Sequence, residues 1–205
     1  MLFYLRLIGY YTENMLPGIL SAVLAFACLY RWRQRRLSAQ GLTSSRLREG
    51  ILLLFWAFCG GMAVLTMTPW GFHWITLLRS GIISDQGTFF SLGTVNLIPF
   101  RSLELGTQTR YTLFNFLGNM VMFLPFGFFT ALLWRNRTWK RELITGVCIT
   151  GFIEMWQLFI GRACDIDDLM LNMMGVMCGY WIWKAVNFRM HQKVRLHCQK
   201  TESES

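Results

Sequence analysis

Residues 142–187 read ELITGVCITGFIEMWQLFIGRACDIDDLMLNMMGVMCGYWIWKAVN. Two apolar runs, 142–160 and 168–187, flank the short polar turn GRACDID. Each run approaches the roughly 20 mostly apolar residues that an α-helix needs to cross a ~30 Å hydrocarbon core. A pair of such runs joined by a turn this short reads as a transmembrane helical hairpin. The polar residues in and beside the turn are Glu154, Gln157, Arg162, Asp165, Asp167, Asp168 and Asn172.

Working outward, three more runs meet or approach the same length: 14–30, 50–70 and 112–134. The expected fold is therefore all-α, a polytopic bundle of about five spans. The composition agrees. Hydrophobic residues make up 54% and charged residues 15%, with mean hydropathy +0.37, well below the charge a soluble domain carries. The formal charge of +9 is not a nucleic-acid signature, because the basic residues cluster between apolar runs. The first run ends in RWRQRR at 31–36 rather than in a small-residue cleavage site, so it reads as a retained helix. The six cysteines stand singly without a CxxC pair, which fits buried packing rather than a disulfide framework or zinc site.

Basic residues orient the bundle. Arg31, Arg33, Arg35, Arg36, Arg46 and Arg48 fill the 31–49 linker; Arg135, Arg137, Lys140 and Arg141 fill the next short loop. Arg189, Lys193, Arg195 and Lys200 fill the tail. Five spans put all three groups on the cytoplasmic side, with the amino terminus, 71–111 and 161–167 outside. The linker would also attract anionic lipid. The expected division is an N-terminal helix and basic linker over 1–49, a core over 50–187, and a basic tail over 188–205. Part of the aromatic-rich 71–111 loop is expected on or within the outer leaflet.

With that topology, helical rise places Asn119, Glu154 and Asn172 at a common depth, roughly 6–10 Å inside the outer boundary. Asn115 and Asn119 share a helix face, as do Glu154 and Gln157. Asp165, Asp168, Asn172, Gly175 and Gly179 form one stripe at steps of three and four. Gly175 and Gly179 have the spacing that lets helix backbones approach closely. Asp167 and Asp168 suit a helix N-cap and a first-turn anion. The amides could equally serve interhelical hydrogen bonding, but a carboxylate within a span, such as Glu154, reads as functional.

The stretches NLIPFRS at 96–102, NFLGNMVMFLPFG at 115–127 and IEMWQLFIGRACDIDDLMLNMMGVMCGY at 153–180 together resemble the VanZ-like membrane proteins, over about 51–187. The resemblance implies a four-helix core, with the first span and linker as an addition. It also implies an association with reduced susceptibility to teicoplanin-type lipoglycopeptides. The family's motif positions fall here on Asn96, Pro99, Phe100, Asn115, Gly118, Asn119, Pro125, Gly127, Glu154, Gln157, Arg162, Asp165, Asp168, Asn172 and Gly175.

Three functions fit these groups. In the first, an outward-facing polar pocket binds or handles an envelope lipid or lipid-linked precursor. Asn96, Arg101, Asn115, Asn119, Gln157, Arg162 and Asn172 would hold the head group, with Arg101, Arg110 or Arg162 for a phosphate or carboxylate. In the second, an enzyme acts on an envelope lipid or its sugar, with Glu154 as general acid or base and Asp165 or Asp168 beside it. The third is a small transporter or proton relay. There is no GxSxG elbow, HExxH helix or P-loop. Glu154, Asp165 and Asp168 are oxygen ligands of the kind Mg²⁺ or Ca²⁺ takes, but the expectation is no metal and no cofactor. Membrane lipids are the expected partners, and nucleic acid is not.

Overall fold

The computed structural model describes residues 2–69, 90–99, 109–134, 137–186 and 197–198. Five helices occur among them: α1 Leu2–Ala39, α2 Arg46–Met67, α3 Thr109–Leu133, α4 Trp139–Phe159 and α5 Ile166–Val186. The shortest have 21 residues, or ~32 Å of rise, enough to cross a bilayer. Segments within α1, α2 and α4 are long and apolar enough to cross a membrane. Large apolar side chains stay exposed on every helix, including Leu24, Leu54, Val121, Phe152 and Trp181. Helices apolar on all sides belong in lipid, and the molecule is a helical membrane protein.

Glycines set the closest helix approaches. A Cβ on Gly18 would stand 2.2 Å from the Gly60 carbonyl oxygen, and one on Gly60 would stand 2.3 Å from that of Gly18, so α1 and α2 nearly touch there. The α3–α5 seam is built the same way. Hypothetical Cβ atoms on Gly175 and Gly179 fall 2.2 and 2.0 Å from the carbonyl oxygens of Met120 and Leu124. One on Gly127 falls 1.9 Å from that of Val176. The glycine stripe of α5 therefore packs within the chain. Phe123, Phe126 and Val176 fill the core beside this seam, with Phe55 of α2 against Phe126 and Phe129.

Two expectations change. The basic run taken as a linker is helical as far as Ala39, because arginine is a good helix former and nothing in RWRQRRLSA breaks the helix. The residue that caps α5 is Asp165, not Asp167. Its carboxylate accepts the Asp167 backbone N–H at 3.0 Å, which leaves Asp167 and Asp168 both in the first turn.

Short strands complete the frame. β1 Leu42–Thr43 pairs antiparallel with β4 His197–Cys198. β2 Val95–Asn96 pairs parallel with β3 Cys164–Asp165, matching Asn96 to Asp165. The Phe90–Pro99 segment thus lies along the α4–α5 turn, with Leu92, Val95, Leu97 and Ile98 exposed. The rest of the 71–111 loop expected on or within the outer leaflet, residues 71–89 and 100–108, lies outside the described residues.

Candidate functional site

α4 ends in a turn that redirects the chain into β3. Gly161 has φ +75°, and the Arg162 N–H returns to the Gln157 carbonyl at 2.9 Å. This is the Schellman arrangement, which glycine adopts without the clash a side chain would bring. Ser91 and Gly93 donate backbone N–H groups to Phe159 and Leu158, and Cys164 donates to Thr94. Main-chain bonding thereby locks the Phe90–Pro99 segment to the turn and satisfies polar backbone next to an apolar bundle.

The carboxylates gather at this end. Glu154, 3% exposed on the last turns of α4, accepts the Asp165 backbone N–H at 3.0 Å. Asp165 accepts the side-chain amide of Asn96 at 3.1 Å while capping α5. Asp168 accepts the Asn119 amide from α3 at 2.5 Å. Asn172, 4% exposed, lies one turn further along the stripe that carries Asp168 and Gly175, and among the described residues its side-chain oxygen receives no hydrogen bond. Arg162 is within electrostatic range of both Glu154 and Asp168.

Gln157 and Arg162 meet a second need. The last carbonyls of any helix lack intrahelical donors. At the end of α2, Arg162 Nη1 donates to the Leu65 and Thr66 carbonyls at 3.0 and 3.2 Å. Gln157 Nε2 donates to Thr66 at 3.0 Å, and Trp156 Nε1 to Met67 at 2.9 Å. The turn after α4 therefore closes the end of α2 and fixes where Glu154 sits.

Of the residues predicted from sequence, Asn96, Asn119, Glu154, Gln157, Arg162, Asp165, Asp168 and Asn172 lie at this end of the bundle. The Asn115 side chain and Arg101 fall outside the described residues. No three His, Cys, Asp or Glu among the described residues form a group that could hold a metal ion. Burial, and then the carboxylates of Glu154 and Asp165, push the Cys164 thiol above its usual range.

Sequence reasoning missed Trp156 and Thr66 at this end, and a buried carboxylate at the other. Glu142, fully buried in the first turn of α4, accepts the Thr130 hydroxyl and lies 3.6 Å from Arg137. The available signal was an acidic residue in the first turn of α4, after the N-cap Thr138, where the helix dipole favours negative charge.

The VanZ/LLP1 family profile matches residues 53–187. The chain belongs to the VanZ/LLP1 family. The matched stretch runs from within α2 through α5 and holds every residue of the carboxylate cluster; α1 and the start of α2 precede it. Neither a curated protein nor a solved structure matches the chain.

Proposed function

We propose that this VanZ/LLP1 protein binds the polar head of an envelope lipid or lipid-linked precursor at the carboxylate end of its bundle, and so lowers susceptibility to teicoplanin-type lipoglycopeptides. In this reading the amino terminus faces outward, the tail is cytoplasmic, and the Gly161–Asp165 turn opens to the non-cytosolic side.

The carrying observation is an imbalance of hydrogen-bonding groups. Glu154 and Asp168 supply carboxylate acceptors, and among the described residues the buried Asn172 oxygen has no donor. The amides of Asn96 and Asn119 already serve Asp165 and Asp168, and Gln157 Nε2 and Arg162 Nη1 serve α2 carbonyls. A ligand that completes such a site brings hydroxyl or amine donors, since a buried acceptor left unmet is costly. That favours a sugar-like or amine-bearing head group.

Comparative profiling of envelope lipids and cell-wall precursors in a deletion strain tests the proposal, together with teicoplanin susceptibility. Susceptibility is expected to rise on deletion and to be restored by the wild-type chain but not by Asn172→Leu expressed at equal level. No shift on deletion or overexpression would sink the resistance role. Turnover of a candidate lipid in proteoliposomes, abolished by Glu154→Gln, would replace binding with catalysis.

A further inference from the structure

A second charged cluster lies at the far end of the α1–α2 hairpin, outside the region matched by the family profile. Arg33 of α1 pairs with Glu49 of α2, and Arg48 Nη1 lies 3.9 Å from the other oxygen of the same carboxylate. Arg48 also donates to the Ser44 hydroxyl at 3.3 Å. One carboxylate thus stands between two guanidinium groups that repel each other. Arg48 is nonetheless only 8% exposed. The Nε atoms of Arg33 and Arg48 and the Oε1 atom of Glu49 are buried and have no hydrogen-bond partner among the described residues. A buried cluster with surplus positive charge and two idle donors wants an anion.

The surroundings indicate which anion. The cluster sits at the N-terminus of the 22-residue α2, whose dipole adds partial positive charge. Arg33 lies over the Phe26 ring at 4.7 Å, and Arg36 over Trp32 at 4.6 Å. Aromatic rings with arginines at the end of a membrane-crossing helix mark the head-group layer. Arg31, Arg35, Arg36 and Arg46 are exposed around it. We propose that the phosphate of an anionic phospholipid occupies the α1–α2 end, accepting hydrogen bonds from Arg33 and Arg48. The guanidinium fork suits phosphate oxygens, and the acyl chains would run past the exposed Leu29, one turn inward from Arg33 on the same face of α1.

The test uses the full chain purified in a neutral detergent. Native mass spectrometry and thermal unfolding are read with short-chain phosphatidylglycerol, short-chain phosphatidylcholine and inorganic phosphate. Phosphatidylglycerol is expected to bind and raise the midpoint, and the other two are not. An equal response to phosphatidylcholine would overturn the anion site, and an equal response to inorganic phosphate would overturn the lipid assignment. Arg33→Lys and Arg48→Lys keep the charge that orients the helices but remove the fork and its Nε donor. Each is expected to weaken phosphatidylglycerol binding on the order of tenfold, the loss of one hydrogen bond to a charged group. Unchanged affinity in both would reduce the cluster to a topology signal. Glu49→Gln removes the competing carboxylate and is expected to bind at least as tightly as wild type. Loss of binding in this variant, with the fold intact, would also refute the site.

Discussion

The side-chain amide of Asn119 on α3 donates to the carboxylate of Asp168 on α5, joining the helices at the level where the glycine seam begins. Below that bond the backbones touch through Gly175 and Gly179; above it lies the polar turn. Asn119→Leu leaves a mostly buried carboxylate without its donor. The expected cost is ~1–3 kcal/mol, more than the ~0.6 kcal/mol of an average interhelical bond in a membrane protein, because the acceptor is charged. Asp168→Asn keeps an acceptor oxygen and should lose less. Unfolding of both variants in detergent checks the order; a loss in Asn119→Leu no larger than the ~0.6 kcal/mol average would mean that charge plays no part in this bond.

The glycine seam makes a sharper prediction. Gly179→Val forces branched carbons into the Leu124 carbonyl and should separate α3 from α5, costing at least the ~1–3 kcal/mol typical of overpacking. Gly151 on α4 has open space beside it, so Gly151→Ala should be neutral or slightly stabilising. Size-exclusion profiles after a heat challenge report both, and a stable Gly179→Val would contradict the close approach.

Cys164 reports on the carboxylates. Its raised thiol pKa means less thiolate at any given pH, so maleimide labelling at pH 8 should be slower than for an ordinary exposed cysteine. Glu154→Gln removes one of the charges responsible and should speed the reaction. In a variant keeping only this cysteine, a membrane-impermeant reagent added to intact cells is expected to reach it. Protection until the membrane is broken would reverse the proposed orientation.

Arg162 closes the end of α2 with one nitrogen shared between two carbonyls. Arg162→Lys preserves the charge near Glu154 and Asp168 but not the planar donor set. The expected outcome is a loss of ~1–2 kcal/mol, about one hydrogen bond to a charged group. Trp156→Phe should add a smaller loss by freeing the Met67 carbonyl. Thermal midpoints of the single and double variants measure the coupling, and strict additivity would mean the two donors act independently.

The helical hairpin and the gathering of Asn119, Glu154 and Asn172 at one end of the bundle were legible because period and rise act locally along each helix. The limits of α1 were not. Apolar length reports where lipid can lie, whereas the arginine run from 31 onward carries helical propensity that hydropathy does not register. The Asn96–Asp165 pairing was hidden for another reason. Two-residue strands have no period to detect, and their partners stand 69 residues apart. In DIDD, any of three aspartates can cap a helix, and only the β3 pairing decides for Asp165. Arg162 and Gln157 were read as ligand-binding groups because their sequence neighbours are polar. The α2 carbonyls they meet are backbone atoms, which leave no trace in residue type.

The ladder between Phe90–Pro99 and the turn is made of main-chain atoms, while Leu92, Val95 and Leu97 point away from it. Identity at those three positions is therefore uncoupled from the geometry of the acids behind them. A library randomised there should yield many chains that still insert and assemble with the same acidic cluster. Under the proposed head-group binding, those three positions are where point mutation changes the ligand without moving the acids.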